Sequence, residues 1–252
     1  MATTIADERL ALRGVVPTHR WLHSRTTLPM LIRLERAVLE RSERILAMSH
    51  HTANQIVRSG IKASKIEIGR VPIDTRRFMP SGFERRGALF VGRAHDPRKN
   101  FALARRALST CDLLRERGLT VVSAERAPLP EGVASSVTWV PGTTELSDRY
   151  NAAELLLLPS LQEGYGIVAF EALACGTPVL ALRCGGPDRY LEESGGAVVA
   201  ESEDEFLSAL DRLLKDPVWL DEAGKQGRAY VERHMSAEVF LKDESLFRPQ
   251  AV

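Results

Sequence analysis

Only three cysteines occur in 252 residues, Cys111, Cys175 and Cys184, and they show no metal-like spacing. An odd, sparse count excludes a disulfide framework and fits a reducing compartment. Excess charge of either sign is missing too. The 34 Lys and Arg against 33 Asp and Glu leave a net charge of +1. No bulk field therefore draws the chain to nucleic acid or to an anionic membrane. No apolar run approaches the ~20 residues of a membrane-spanning helix. The opening Met1-Ala-Thr-Thr-Ile-Ala-Asp-Glu-Arg lacks the apolar core of a secretory signal. Asp-x-Asp does not occur, and neither an internal repeat nor a low-complexity tract is found. These absences set the expectation of a cytoplasmic protein with no transmembrane segment, no nucleic-acid partner and no metal site.

What is present is a large apolar complement, 44% of residues. That is enough for a sizeable core in a chain long for one domain and short for two, at roughly 100–200 residues each. The first 77 residues read mostly as helix. Leu31, Leu34, Val38, Ile45 and Leu46 recur at near-helical spacing between charges over 28–46. His50 to Ser59 reads as a second helix stopped by Gly60, and Lys65 to Ile68 alternates as a strand does. From Gly87 the rhythm changes to alternating strand and helix. Strands are expected at 88–91, 120–123, 137–140, 155–158, 179–182 and 197–200. Helices are expected at 101–117, 146–153, 167–174, 187–193 and 203–215. Leu155-Leu-Leu-Leu158 is apolar on consecutive positions, which suits a strand covered on both faces. The fold class is therefore α/β with a doubly wound parallel sheet, whose ligands bind beyond the carboxyl ends of the strands. Gly92 and Glu163 both follow strands and belong to that edge.

The most informative stretch is Leu155-Leu-Leu-Leu-Pro-Ser-Leu-Gln-Glu163-Gly-Tyr-Gly-Ile-Val-Ala-Phe-Glu171-Ala-Leu-Ala-Cys-Gly-Thr-Pro-Val-Leu180. A buried strand runs through a glycine-bearing loop into a helix. Free N–H groups and the helix dipole at such a start favour a phosphate. Glycines let backbone and ligand approach closely. Ionised carboxylates only accept hydrogen bonds, so Glu163 and Glu171 suit the hydroxyls of a ribose or a sugar. Two glutamates separated by seven residues are by themselves more often two solvated helix charges. The surrounding run is what gives the pair weight.

The stretch resembles the signature of retaining GT-B glycosyltransferases, especially the glycogen-synthase-like family 4 (group 1), with Tyr165 and Leu173 in place of common neighbours. The resemblance covers 45–231 well and reaches weakly to Val15. It implies a Rossmann-like donor domain over 78–233, preceded by an incomplete remnant of the acceptor-side domain and linker over 1–77 and followed by a tail, 234–252. Gly92-Arg93-Ala-His-Asp-Pro-Arg98-Lys99 looks like the family's Gly-Arg … Lys motif. By that likeness Arg93 and Lys99 hold the donor diphosphate, Lys99 being favoured over Arg98. Glu163 orients the donor sugar, Glu171 takes the ribose, and Gly92, Tyr165 and Gly166 shape the phosphate site with their backbone. Val15-Val-Pro-Thr-His19 is similar to a segment whose closing histidine reaches the donor sugar, and this makes His19 a candidate at the reaction centre. A surface histidine is the other reading. Gly185-Gly-Pro-Asp188 is similar to a Gly-Gly … Pro-Glu turn near the cleft, and Asp74 is read as a turn cap.

The function implied is transfer of a sugar from a nucleoside-diphosphate sugar to an unidentified acceptor with retention. No cofactor or metal is implied. The alternative is a non-catalytic nucleotide-sugar-binding module or regulatory partner of a complete transferase, and a fragment without an independent role is a third reading. Residues 1–77 cannot complete a sheet. Their exposed edges and apolar faces imply a second copy or a partner protein covering the remnant.

Overall fold

The structure, a computed structural model, describes residues 4–5, 18–69, 71–142 and 145–242, with the side chains of its first helix from residue 29 on. Six parallel strands form the main sheet: β3 (Ala88–Val91), β4 (Leu119–Val122), β5 (Val137–Val140), β6 (Leu155–Leu158), β7 (Val179–Leu182) and β8 (Ala197–Ala200). Their spatial order is β5-β4-β3-β6-β7-β8. The order reverses between β3 and β6, which pair directly through Ala88 with Leu155 and Leu89 with Leu156. In open α/β sheets the crevice for a ligand opens at that reversal.

The helices between these strands are α3 (Phe101–Thr110), α4 (Asp112–Arg117), α5 (Leu146–Asn151), α6 (Ile167–Ala174) and α7 (Asp188–Ser194), and α8 (Glu203–Leu214) and α9 (Pro217–His234) follow the last strand. Side chains alternate across a strand, so β6 feeds both faces of the sheet. Leu155 and Leu157 join Phe90, Phe101, Leu180, Phe206 and Leu210 under α3, α4 and α8. Leu156 and Leu158 join Leu89, Tyr150, Phe170, Val179 and Val231 under α5, α6 and α9. Each fully buried leucine contributes about 1.5–3 kcal/mol over an exposed one. A tetrad of leucines buried on both faces therefore anchors the strand from which the site loop departs.

Helix boundaries follow capping chemistry. Ser202 accepts from Glu205 N at 3.2 Å to start α8, with Glu203, Asp204 and Glu205 in the favourable first turn. Asp216 accepts from Trp219 N at 2.9 Å ahead of Pro217 to start α9. The helix expected over 101–117 is two helices. Cys111 has extended angles (φ −109°, ψ 106°), which end α3 and begin α4. The long helix α9 was not anticipated.

Ahead of the main sheet stand α1 (Thr18–Arg41), β1 (Ile45–Ala47), α2 (His50–Arg58) and β2 (Ile66–Ile68). Ile45 and Leu46 do not continue a helix, as their spacing suggested. They lie in β1, which pairs in parallel with β2. Ile45 and Ala47 are buried and Leu46 is exposed, a two-residue period that suits a strand. This unit has its own small core of Leu39, Ile45, Ala47, Ile56 and Ile61. The segment from Val71 to Pro80 joins it to the main sheet. Asp74 Oδ1 accepts from Arg76 N and Arg77 N, both at 3.1 Å, so it caps a turn. The chain returns to this segment at its other end. Ile73 N donates to Met235 O at 2.8 Å and Ala237 N to Ile73 O at 3.2 Å, just ahead of α10 (Ala237–Lys242).

Candidate active site

At the reversal point Gly92 follows β3 directly, and Pro159-Ser160 follows β6 directly. The chain after Gly92 folds into a short turn, Pro97–Lys99, started by Asp96, whose side chain accepts from Arg98 N. That turn sends Lys99 across the sheet edge to the loop beyond β6. Lys99 Nζ donates to Glu163 Oε1 at 2.6 Å, and Ser160 Oγ donates to the same oxygen at 2.7 Å. The Glu163 side chain is only 11% exposed and that of Lys99 22%, so the pair is charge-assisted and sheltered. Among the described residues Oε2 of Glu163 makes no hydrogen bond, and it remains an open acceptor. Gly92 lies against the Lys99 stem, since a Cβ placed on it would stand 3.5 Å from Lys99 Cδ. Gly92 and Lys99 thus meet Glu163 from a second, separate stretch of sequence.

Arg93 and Arg98 behave differently from Lys99. Arg93 is 60% exposed and bonds Asp96 Oδ2 at 2.9 Å. Arg98 bonds the same carboxylate through Nε at 3.2 Å and its terminal nitrogen at 3.0 Å. Partial burial works against the Asp96 anion, but these hydrogen bonds from Arg98, with the charge of Arg93, hold its carboxyl below the usual range.

The glycine loop is held by close backbone packing. Glu163 N donates to Cys184 O at 3.3 Å and Gly186 N to Glu163 O at 3.1 Å. A Cβ on Gly186 would lie 2.3 Å from Glu163 O, so only glycine lets the two loops meet. Gly166 adopts φ +77° and precedes α6 without any side-chain cap. The first N–H groups of α6 are therefore offered to an anion together with the positive end of the helix. Asp188 serves the neighbouring turn. Its buried carboxylate accepts from Cys184 N at 3.1 Å and Gly185 N at 2.7 Å. That is the work of a strand-to-helix turn.

The Tyr165 side chain is buried and packs at 5.1 Å from Phe170 and 6.0 Å from Tyr190. Its backbone, not its ring, shares the loop with Glu163. Glu171 lies in the second turn of α6, where Oε2 accepts from Tyr150 OH at 2.8 Å. Burial pushes the Glu171 carboxyl above its ordinary value, and the Tyr150 hydrogen bond and the nearby Arg77 charge oppose that shift. His19 stands in the first turn of α1. Its side chain, and residues 15–17 before it, lie outside the described residues.

Two partners escaped the sequence reading. Ser160 was visible only as part of the Pro-Ser context. Tyr150 carried no signal, because its partner is 21 residues away and found only by tertiary packing. A cavity of about 290 Å³ opens beside the loop between His50, Tyr165, Tyr190, Glu193 and Tyr230. A larger one, about 570 Å³, lies at the opposite edge of the sheet. There Arg85 donates to Cys175 O at 2.8 Å and Arg228 to Phe78 O at 2.6 Å. These guanidiniums satisfy backbone carbonyls.

The parallel sheet with its order reversal between β3 and β6 is consistent with the Rossmann-like half of a GT-B fold. The family model of the group 1 glycosyl transferases matches residues 85–216, just over half of the chain. The protein belongs to that family. A D-inositol 3-phosphate glycosyltransferase of Gordonia bronchialis is 37% identical over 106 residues, covering 40% of this chain and 23% of that protein. A D-inositol 3-phosphate glycosyltransferase 2 of Catenulispora acidiphila is 28% identical over 233 residues, covering 79% and 54%. In its longer matches the chain spans about half the length of these curated relatives. Among solved structures, sucrose-phosphate synthase of Thermosynechococcus elongatus superposes with a TM-score of 0.76 at 24% identity, over 88% of this chain and 61% of that one. The lipopolysaccharide glycosyltransferase WaaG gives 0.77 at 21%, over 91% and 70%. Anabaena HepE in complex with UDP gives 0.75 at 14%, over 86% and 67%. These likenesses establish the shared fold. Among the described residues no helix is long and apolar enough to cross a membrane.

Proposed function

We propose that this chain carries the donor site of a retaining glycosyltransferase, which moves a sugar from a nucleoside-diphosphate sugar to an acceptor. The observation that carries the reading is the Lys99–Glu163–Ser160 cluster, set at the sheet reversal beside the uncapped start of α6. Lys99 and Arg93 counter the negative charge that grows on the departing diphosphate, where fixed cations lower the barrier most. The α6 N-terminus and the backbone of Tyr165 and Gly166 add dipoles at the same place. Glu163 keeps one oxygen for Lys99 and Ser160 and offers the other to a sugar hydroxyl. Glu171 does the same for the ribose. HepE is described as a complex with UDP, and this supports a uridine nucleotide as the first donor to try.

The acceptor side needs a second α/β segment. The incomplete coverage of the relatives and the exposed apolar residues of α1, β1 and α2 support this reading. A further polypeptide segment packed against those exposed apolar residues would supply it.

Calorimetric titration with UDP, GDP, ADP and their sugar conjugates tests the donor reading. Micromolar binding of one nucleotide, weakened on the order of tenfold or more by Lys99→Ala, is the expected result. Absence of binding by all of them overturns it. Proton NMR of the product's anomeric centre then decides retention. Binding without any transfer or donor hydrolysis, even after partners are supplied, favours a nucleotide-sugar-binding module instead.

A further inference from the structure

Tyr150 does more than fill the core. Its side chain is fully buried, its ring packs edge-on against Phe78 at 6.0 Å, and its carbonyl accepts from Thr177 Oγ1 at 2.7 Å. The phenol is therefore fixed at both ends before its hydroxyl is considered. That hydroxyl donates to Glu171 Oε2 at 2.8 Å. A carboxylate offers about four acceptor positions, and among the described residues this is the hydrogen bond that Glu171 makes. Placing a carboxylate in a largely buried position with so few donors is costly for a fold that needs only packing there. The unspent acceptor capacity points to a ligand.

We propose that Tyr150 is a positioning residue of the donor site, holding Glu171 by one oxygen so that the other meets the ribose hydroxyls of the nucleotide. The inference rests on the reading of Glu171 as the ribose acceptor and adds to it the residue that aims it. The charged and titratable groups around Glu171 are Arg77 from the linking segment, the Cys175 thiol at the end of α6, and Tyr150 itself from α5. Arg77 and the Tyr150 hydrogen bond both favour the ionised carboxylate, while burial opposes it.

The test compares the full chain with Tyr150→Phe, Glu171→Gln and the double variant. The probe is whichever of UDP, GDP and ADP binds best, titrated beside its 2′,3′-dideoxy form, with pyrophosphate as a control for folding and for the phosphate site. The native chain is expected to prefer the ribonucleotide on the order of tenfold or more. Glu171→Gln is expected to abolish that preference. Tyr150→Phe is expected to cut it about three- to tenfold, with pyrophosphate binding unchanged. The double variant should match Glu171→Gln alone, because Tyr150 acts only through that carboxylate. A structural role would not move the pH profile. Losing the hydroxyl raises the Glu171 carboxyl further, so the acid limb of ribonucleotide affinity moves to higher pH in Tyr150→Phe.

Full ribose preference and an unmoved acid limb in Tyr150→Phe overturn the inference while leaving Glu171 its role. A ribose preference that survives Glu171→Gln overturns the Glu171 reading and the inference with it. Absence of nucleotide binding by the native chain removes both together with the donor site. If Tyr150→Phe also loses pyrophosphate, fluorotyrosine at position 150 keeps the shape and strengthens the donor. The acid limb should then move to lower pH, and an unmoved limb overturns the inference.

Discussion

At the scale of single residues, the site is a set of shared charges rather than a row of independent ones. Lys99 cannot serve a diphosphate without also touching Glu163, since the two already share a 2.6 Å contact. Glu163→Gln removes the anion that competes for Lys99 and keeps an acceptor for Ser160. Binding of the bare nucleoside diphosphate should then be unchanged or modestly tighter, while the sugar conjugate loses on the order of tenfold. Calorimetry with both ligands checks this, and equal losses for the two would remove Glu163 from the sugar. Glu171 gives a second prediction, this time in stability. Burial holds its folded carboxyl above the ordinary 4.5, so the unfolded chain releases this proton first. The ionised form therefore costs stability. The cost is absent well below the ordinary value, grows as pH rises through the folded value, and is complete above it. Glu171→Gln should raise the melting temperature at pH 7 by about a degree or two, with the gain fading in acid. A gain that persists unchanged in acid would contradict this origin. The glutamates, the lysine and the glycines were legible because their spacing and context sit on one continuous stretch or directly after a strand. Ser160 and Tyr150 act through contacts that spacing does not reveal.

At the scale of elements, the sheet was legible and its surroundings less so. Runs such as Leu155–Leu158 and Val179–Leu182 have no polar position, and burial on both faces leaves no other reading. Ile45–Ala47 was too short to declare its two-residue period against the helical spacing before it. In α9, Gly224 and Gly227 interrupt the helical signal, yet both are buried where backbones approach. A Cβ on Gly224 would meet Gly176 O at 2.3 Å. The same logic governs the site loop. Gly186→Ala places a methyl 2.3 Å from Glu163 O, and neither partner is a flexible side chain. Urea denaturation should show a loss of about 1–3 kcal/mol, accompanied by weaker donor binding as Glu163 moves. Gly82→Ala is the matched control, because nothing lies within 4 Å of the added methyl. Equal stability of the two variants would mean that the loops can separate at no cost, and the close approach would then not be what positions Glu163.

At the scale of the whole molecule, the six-stranded unit is covered on both faces, while among the described residues the unit before it leaves apolar side chains exposed. Met30, Leu31, Leu34 and Val38 are 40–65% exposed on α1. Positions 31, 34 and 38, and likewise 30, 34 and 38, fall on one helical stripe. Leu46 on β1 and Val57 on α2 are exposed as well. Among the described residues the sheet beneath has two strands, β1 and β2, which pair with each other. A two-stranded unit is marginal on its own, and an exposed apolar stripe invites association. The six-stranded unit is thus a finished surface, whereas α1, β1 and α2 present exposed apolar residues. Sedimentation velocity of the isolated chain should show association that grows with concentration. Leu34→Lys together with Val38→Lys should abolish it. Those positions lie far in sequence from Lys99, Glu163 and Glu171, so nucleotide binding should survive the double change. A native chain that stays monomeric at every concentration would remove self-association. Coexpression with a candidate α/β partner would then become the deciding measurement, with capture lost in the same double variant.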